Sequence, residues 1–460
     1  MSDRGGTPTM LPNNDGRLVT EEGTDTGVLR TKTRELGDCA ATDALRVADG
    51  NRLFWSDPDG TQIAAIGSAA TITATGADRF QSVRATAEDL FRTQDRSDMD
   101  RQVRPRLFGG FAFHPDPTME GCWTGFPAAR FVLPRLQLTV TDQQATLTAN
   151  AYGPHVTSAD VTEMLTDASR RFERLASTEP GTRPAVKTTS RGATPESWRR
   201  QVRTALDRIK SGHLRKVVLA QSLEVTLDRP VDPIDTVARL TDAYPDCYRF
   251  LIQPEANGAF VGATPERLIG KRGRTVETEA LAGSIGRGET PVEDEALATE
   301  LTDSRKDQHE HAVVVEAIRD QLTPYTASIS VGDQRIRKLA TVQHLETPIR
   351  GLLDGDRHVL SLVEALHPTP AVGGLPPSPA QESIREIESF NRGWYAAPIG
   401  WFDDRGNGEF AVGLRSGVLE GARGTLFAGA GIVDDSDPDQ EWDEIQLKYR
   451  PMLDTLAPAE

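Results

Sequence analysis

The apolar stretches of this chain are short, and most of them are strand-like. KVVLAQSLEVTL (216–227), RFLIQ (249–253) and AFVGAT (259–264) read as strands, as do RLFGGFAFH (106–114) and ARFVLPRLQLTVT (129–141), with turns between them. Helical patterns fall among these runs. ATAEDLFRTQ (85–94) is one. In a second, Thr194-Pro195 supplies an N-cap and a first-turn proline, and Trp198, Val202, Ala205, Leu206 and Ile209 follow at helical spacing. A third spans 303–322. The mixture implies a layered α/β or α+β fold with sizeable sheets and excludes a simple βαβ repeat.

At 460 residues the chain is long enough for one large core or two domains. Residues 1–28, beginning MSDRGGTPTMLPNNDGR, read as a polar tail without the apolar centre of a secretory signal. Residues 29–176 form an N-terminal part, and 177–196, rich in Pro, Thr, Ser and Gly, a linker. The C-terminal part is 197–456. The N-terminal part is expected to complete the same fold, because the later strands would otherwise leave a sheet edge unpaired.

No apolar run reaches about 18 residues, so no membrane span is expected, and cytoplasm is the expected location. The net charge of −16, with 68 acidic against 52 basic residues, argues against a nucleic-acid partner. Only eight of those basic residues are lysine. A salt-rich, halophilic cytoplasm accounts for the acidic excess and the scarce lysine, and a GC-rich genome accounts for the lysine scarcity alone. Cys39, Cys122 and Cys247 are far apart and specify neither a disulfide framework nor a zinc site.

Against that background Lys216, at the head of an apolar run, stands out. A buried lysine can lose its proton and act as a base, whereas arginine keeps its charge. In DSRKDQHEHAVVVEAIRDQL (303–322), Glu310, Val314, Ala317 and Ile318 share one helical face. A carboxylate in that stripe needs a cation or a set of donors. Read alone, the same spacing also describes a boundary glutamate that reaches water. His309 and His311 point about 200° apart on a helix and cannot form a zinc clip. In DPDQEWDEIQLKYR (437–450), Glu441, Glu444 and Lys448 share a face that suits a hard divalent ion, or, read alone, an ordinary surface ion pair. Glu266 follows the Thr264-Pro265 turn, where apolar surroundings can raise a carboxyl into the general-acid range. Read alone, it is equally a first-turn helix residue. EALAGSIGRG (279–288) and FAGAGIV (427–433) read as glycine turns that let main-chain N–H groups approach a ligand.

These segments in this order resemble the chorismate-utilising enzymes, the family of isochorismate, salicylate, anthranilate and aminodeoxychorismate synthases. The resemblance covers about residues 190–455 and is carried by KVVLAQ, GATPERL, EALAGS, KDQHEHAVVVEAI, ATVQHLETPIRG, LHPTPAVGGLP, RGWYAAPIGW, GLRSGV, FAGAGIV and EWDEIQLK. It implies an α+β fold of two packed, mainly antiparallel sheets flanked by helices. It also implies Lys216 as base and Glu266 as acid, with Mg²⁺ held by Glu310 and Glu444 and assisted by Glu441. Gly283, Ser284, Gly429, Arg415 and Lys448 would receive the substrate, chorismate, and His344, Ala371 and Tyr395 would line the pocket.

Within the family the resemblance favours an isochorismate synthase of the menaquinone type. Leu281-Ala282-Gly283 lacks the nucleophilic lysine of aminodeoxychorismate synthases. The loop HPTPAVGGLPP is unlike the anthranilate synthase loop, so no obligatory glutaminase partner is implied. Ala371 stands where salicylate synthases tend to have threonine; salicylate synthase, which shares the hydration step, is the first alternative, and anthranilate synthase component I with a glutaminase partner the second. Gln221 and Val372 depart from the pattern of many relatives. A catecholate-siderophore role is the competing pathway, a binding-only protein the non-enzyme alternative, and a monomer or homodimer the expected assembly.

Overall fold

Among the described residues, strand pairing organises the chain into two sheets, one of 11 strands and one of 12, in which every pairing is antiparallel. The computed structural model describes residues 17–19, 27–47, 50–94, 103–142, 144–175, 177–255 and 258–457. Ten helices flank the sheets among these residues. One continuous buried apolar cluster draws on both sheets, from Val217, Leu219 and Phe250 in the larger to Ile269, Val276 and Ile349 in the smaller.

The first part of the chain is woven into both sheets. Arg52–Ser56 pairs with Tyr248–Gln253, setting Trp55 opposite Phe250. Arg106–Phe111 pairs with Pro398–Asp403, setting Phe108 opposite Trp401. The run at 129–141 divides at Pro134 into Ala129–Leu133 and Leu136–Val140, and these two strands belong to different sheets. A proline cannot donate to a ladder, so the chain leaves one sheet there and enters the other.

The expected polar tail, 1–28, falls largely outside the described residues, although Arg17–Val19 pairs with Ala70–Ala74. The stretch 177–196 includes an edge strand, Val186–Arg191, paired with Lys216–Leu227. All six of its residues are exposed, so it carries no apolar alternation for a reader to detect. The helical pattern at 303–322 begins at Arg305, because Ser304 caps it by accepting the Asp307 N–H at 3.3 Å.

Both glycine segments expected as turns lie within strands. EALAGS belongs to Thr275–Gly286, which pairs with Val342–Leu353, and FAGAGI to Arg423–Ile432, which pairs with Lys216–Leu227. Gly283 accounts for the first misreading. It sits at φ 72° where the register slips between Ala282 and Ser284, a one-residue bulge that only glycine enters without strain. Helix Arg305–Leu322 packs on the strand carrying Gly283, and helix Pro438–Leu456 on the strand carrying Gly429.

Candidate active site

These four elements enclose a cavity of about 360 Å³, and every site residue expected from the sequence lines it. Lys216 and Gly429 come from neighbouring strands of the larger sheet, Gly283, Ser284 and His344 from paired strands of the smaller one. Glu310, Glu441, Glu444 and Lys448 enter from the two helices, while Glu266, Ala371, Tyr395 and Arg415 enter from connections.

Lys216 is 4% exposed and donates to Glu310 Oε1 at 2.6 Å. Gly431 makes room for this pair, since a Cβ there would lie 3.1 Å from Lys216 Cε and 3.4 Å from the Glu310 carboxylate. Burial alone would raise the Glu310 carboxyl, but the charge and hydrogen bond of Lys216 outweigh it and hold the carboxyl below its ordinary value. The stripe read from the sequence holds: Val314 and Ile318 are buried and Glu310 points into the cavity.

Glu266 lies between strands Ala259–Thr264 and Arg267–Arg272, so the residue after Pro265 starts no helix. Burial pushes its carboxyl up to about 7, and the neighbouring charge of Glu279 adds to that. A Thr369 hydroxyl 3.4 Å from Oε1, together with Lys216 and Arg415, pulls the other way. The result is a carboxyl that keeps its proton near neutrality, as a general acid must.

His344 is 5% exposed, and its Nδ1 lies 3.1 Å from the Gly283 carbonyl and 2.9 Å from the Ser284 hydroxyl. A carbonyl only accepts, so Nδ1 carries the proton and the Nε2 lone pair is left without a partner. Burial, reinforced by Arg415, lowers the imidazole to about 3, so it is neutral and offers an acceptor to a ligand hydroxyl. Arg415 adopts a left-handed φ of 48°, and its guanidinium has no hydrogen-bond or ion-pair partner among the described residues. A strained arginine without a partner, facing a cavity, offers a free fork of donors that suits a carboxylate. Lys448 bridges Glu444 Oε1 at 2.5 Å and the Gly429 carbonyl at 2.8 Å, so the pair expected on the helix surface turns into the site. Tyr395 stacks on Phe427 with centroids 5.3 Å apart, and a Cβ on Gly429 would meet its hydroxyl at 3.3 Å.

Sequence reasoning missed Arg392, although it opens the RGWYAAPIGW segment. It is 1% exposed, pairs with Glu388 at 2.5 Å and donates to the carbonyls of Val218 at 2.7 Å and Val372 at 2.9 Å. Glu388 also accepts the Ala220 N–H at 2.8 Å. The pair therefore ties the Lys216 strand to the loop holding Ala371, a use that justifies two buried charges. Thr369 and Gly431 were also missed. The scarcity of lysine is a signal that would have flagged Lys306, which lines the cavity mouth with Glu300 and Asp307. The HEH triplet supplies only its glutamate, because His309 is exposed and His311 is buried against Thr347 Oγ1 at 2.7 Å.

No group of three His, Cys, Asp or Glu side chains among the described residues is gathered as a ready metal site. The donor set nevertheless suits a hard cation. The carboxylates of Glu310, Glu441 and Glu444 face one cavity without a histidine or cysteine among them. Burial, and then the charge of Glu444, pushes Glu441 up to about 7, a like-charge conflict that a divalent ion would relieve. Lys448, with Arg415 and Lys306, overcomes the effect of burial on Glu444 and keeps it below its ordinary value.

A two-sheet α+β fold around a cavity that gathers a lysine, a raised carboxyl, an arginine and three carboxylates suits an enzyme acting on a small carboxylic acid. The chain belongs to the chorismate binding enzyme family, which it matches over residues 23–457. It is 37% identical over 419 residues to the isochorismate synthase MenF of Bacillus subtilis, covering 89% of this chain and 88% of that one. It is 36% identical over 411 residues to the salicylate biosynthesis isochorismate synthase of Pseudomonas aeruginosa, covering 88% of this chain and 84% of that one. Its structure resembles that of MenF, the menaquinone-specific isochorismate synthase from Escherichia coli, with a TM-score of 0.78 at 26% identity over 96% of each chain.

Proposed function

We infer that the protein is an isochorismate synthase, an isomerase that moves the hydroxyl of chorismate from C4 to C2. The observation that carries this reading is Lys216 and Glu266 in one cavity, in a chain similar over most of its length to isochorismate synthases. Chorismate carries two carboxylates, which Arg415, Lys448 and the main chain at Gly283 and Gly429 would receive. His344 Nε2 would accept a substrate hydroxyl. Water attacks C2 and gives its proton to Lys216 Nζ, the ring double bond shifts, and the C4 hydroxyl leaves with the proton of Glu266. In the pairing described above Lys216 is a donor to Glu310, so the base acts once that carboxylate is engaged elsewhere.

Glu310 and Glu444, assisted by Glu441, would hold Mg²⁺, which supplies Lewis-acid neutralisation of the substrate carboxylate when bound. Glu444→Gln is then expected to weaken Mg²⁺ binding to the substrate-free protein by about 10–100-fold, read by titration calorimetry. Unchanged Mg²⁺ affinity would remove Glu444 from the metal site.

A role in menaquinone biosynthesis is supported by the likeness to the two MenF enzymes. A cytoplasmic enzyme working without a glutaminase fits a reaction whose nucleophile is water. The test is a product assay with purified protein, chorismate and Mg²⁺, with neither ammonia nor a partner present. Isochorismate alone supports the proposal. Salicylate with pyruvate would assign the protein to salicylate synthesis instead, and anthranilate formed only on adding ammonia would assign it to amination.

A further inference from the structure

The turn that carries Glu266 is held from behind by a second buried carboxylate. The peptide joining Glu266 to Arg267 is fixed at both ends: its carbonyl accepts the Val412 N–H at 3.0 Å, and its N–H donates to Glu279 Oε1 at 3.2 Å. The register between Arg267–Arg272 and Gly408–Val412 slips between Arg267 and Ile269, which leaves that N–H outside the regular ladder and in need of an acceptor. Glu279 is itself held, since the same Oε1 accepts from Arg337 at 2.9 Å and Arg337 also donates to the Asp246 carbonyl at 2.8 Å. The two side chains are only 10% and 16% exposed.

A neutral amide would satisfy the stray N–H at lower desolvation cost, so the carboxylate needs another reason. Glu266 supplies one. We propose that Glu279 is a positioning residue for the general acid: it fixes the Glu266–Arg267 peptide and keeps a negative charge behind the acid, with Arg337 holding it in place. The proposal rests on the isochorismate synthase reading. The groups facing Glu266 are Glu279 on one side and Thr369, Lys216 and Arg415 on the other. Those facing Glu279 are Arg337, Arg267 and Glu346. Of the charged groups facing Glu266 only Glu279 favours its protonated form, and Glu279 is tied to the adjoining peptide. Unpaired charge is avoided because Arg337 compensates Glu279 from the side away from the cavity.

Charge and hydrogen bond are separable. Glu279→Gln keeps an oxygen for the Arg267 N–H but removes the charge, and Glu279→Asp keeps the charge but shortens the reach. The measurement is kcat and KM for chorismate between pH 5.5 and 9, with thermal melting to establish that each variant folds. Glu279→Gln is expected to move the basic limb of kcat to lower pH by about half a unit or more, with KM unchanged. Glu279→Asp is expected to leave the limb in place while lowering kcat at its optimum by about tenfold. A limb unmoved in Glu279→Gln, or moved in Glu279→Asp, would overturn the proposal, as would a uniform loss of activity at every pH in both. If Glu279→Gln does not fold, the limb position in Glu279→Asp still decides. An inactive wild type would sink the functional reading, whereas an active wild type with an unmoved limb would sink only this inference.

Discussion

Glu266→Gln is expected to lower kcat by about 10²–10⁴-fold with little change in KM, the loss typical of removing a positioned proton donor. The glutamine keeps the shape and the contact with Thr369 but has no proton to give to the leaving hydroxyl. The wild type adds a pH signature. Its carboxyl, raised to about 7 by burial and then by Glu279, is protonated below that pH and ionised above it. Activity should therefore fall as pH rises through about 7, and the residual activity of Glu266→Gln should lack that limb. Stability should move the same way. A carboxyl whose folded pKa is raised contributes stability that is complete below its unfolded value near 4.5 and is lost as pH rises through about 7. Glutamine carries no such dependence, so the variant should melt at a higher temperature than the wild type at pH 8, relative to their difference at pH 5. Equal pH dependence of melting in the two proteins would mean that Glu266 is not held protonated by its site.

The site was legible in the sequence wherever a local period fixes direction. A helix turns about 100° per residue, so Val314 and Ile318 could only be buried with Glu310 on the same inner side. The same period carried Glu441, Glu444 and Lys448 into one cavity. The family resemblance then chose between readings that the residues alone left open, such as a surface ion pair and a ligand pair. Contacts that close over long separations were not legible. Lys216 and Glu310 are 94 positions apart, and nothing in either segment announces a 2.6 Å bond. Arg392 gathers Glu388, Val218 and Val372 from separate elements, and Glu279 shows its purpose only once a register slip strands the Arg267 N–H.

The fold followed the same rule. Lys216–Leu227 and Ala259–Thr264 are strands at the residues where the apolar runs begin and end, because those strands are buried along most of their length. Val186–Arg191 is invisible to that reading, since an edge strand exposed at every residue is held by main-chain bonds that any sequence can make. The glycine segments misled for a related reason. Composition reveals that a backbone position needs freedom, but not whether it serves a turn or a bulge inside a strand, as at Gly283.

Lys216→Arg should abolish isochorismate formation, with a loss of about 10²–10⁴-fold in kcat, while the protein remains folded and still binds chorismate. This substitution separates two roles that the geometry gives to one side chain. As an ion-pair partner Lys216 holds Glu310 at 2.6 Å, and an arginine would keep that charge and offer more donors. As a base Lys216 must present a lone pair to water, which arginine cannot do at any pH the protein survives. The space opposite Gly431 is tight enough that a guanidinium could disturb packing, so Lys216→Gln, which fits within the lysine envelope, should be measured beside it. Both variants inactive, with chorismate affinity within about threefold of wild type by equilibrium binding, is the result a base requires. Substantial activity in Lys216→Arg alone would make the residue an electrostatic partner of Glu310. The proton acceptor would then have to be sought among the remaining groups that face C2.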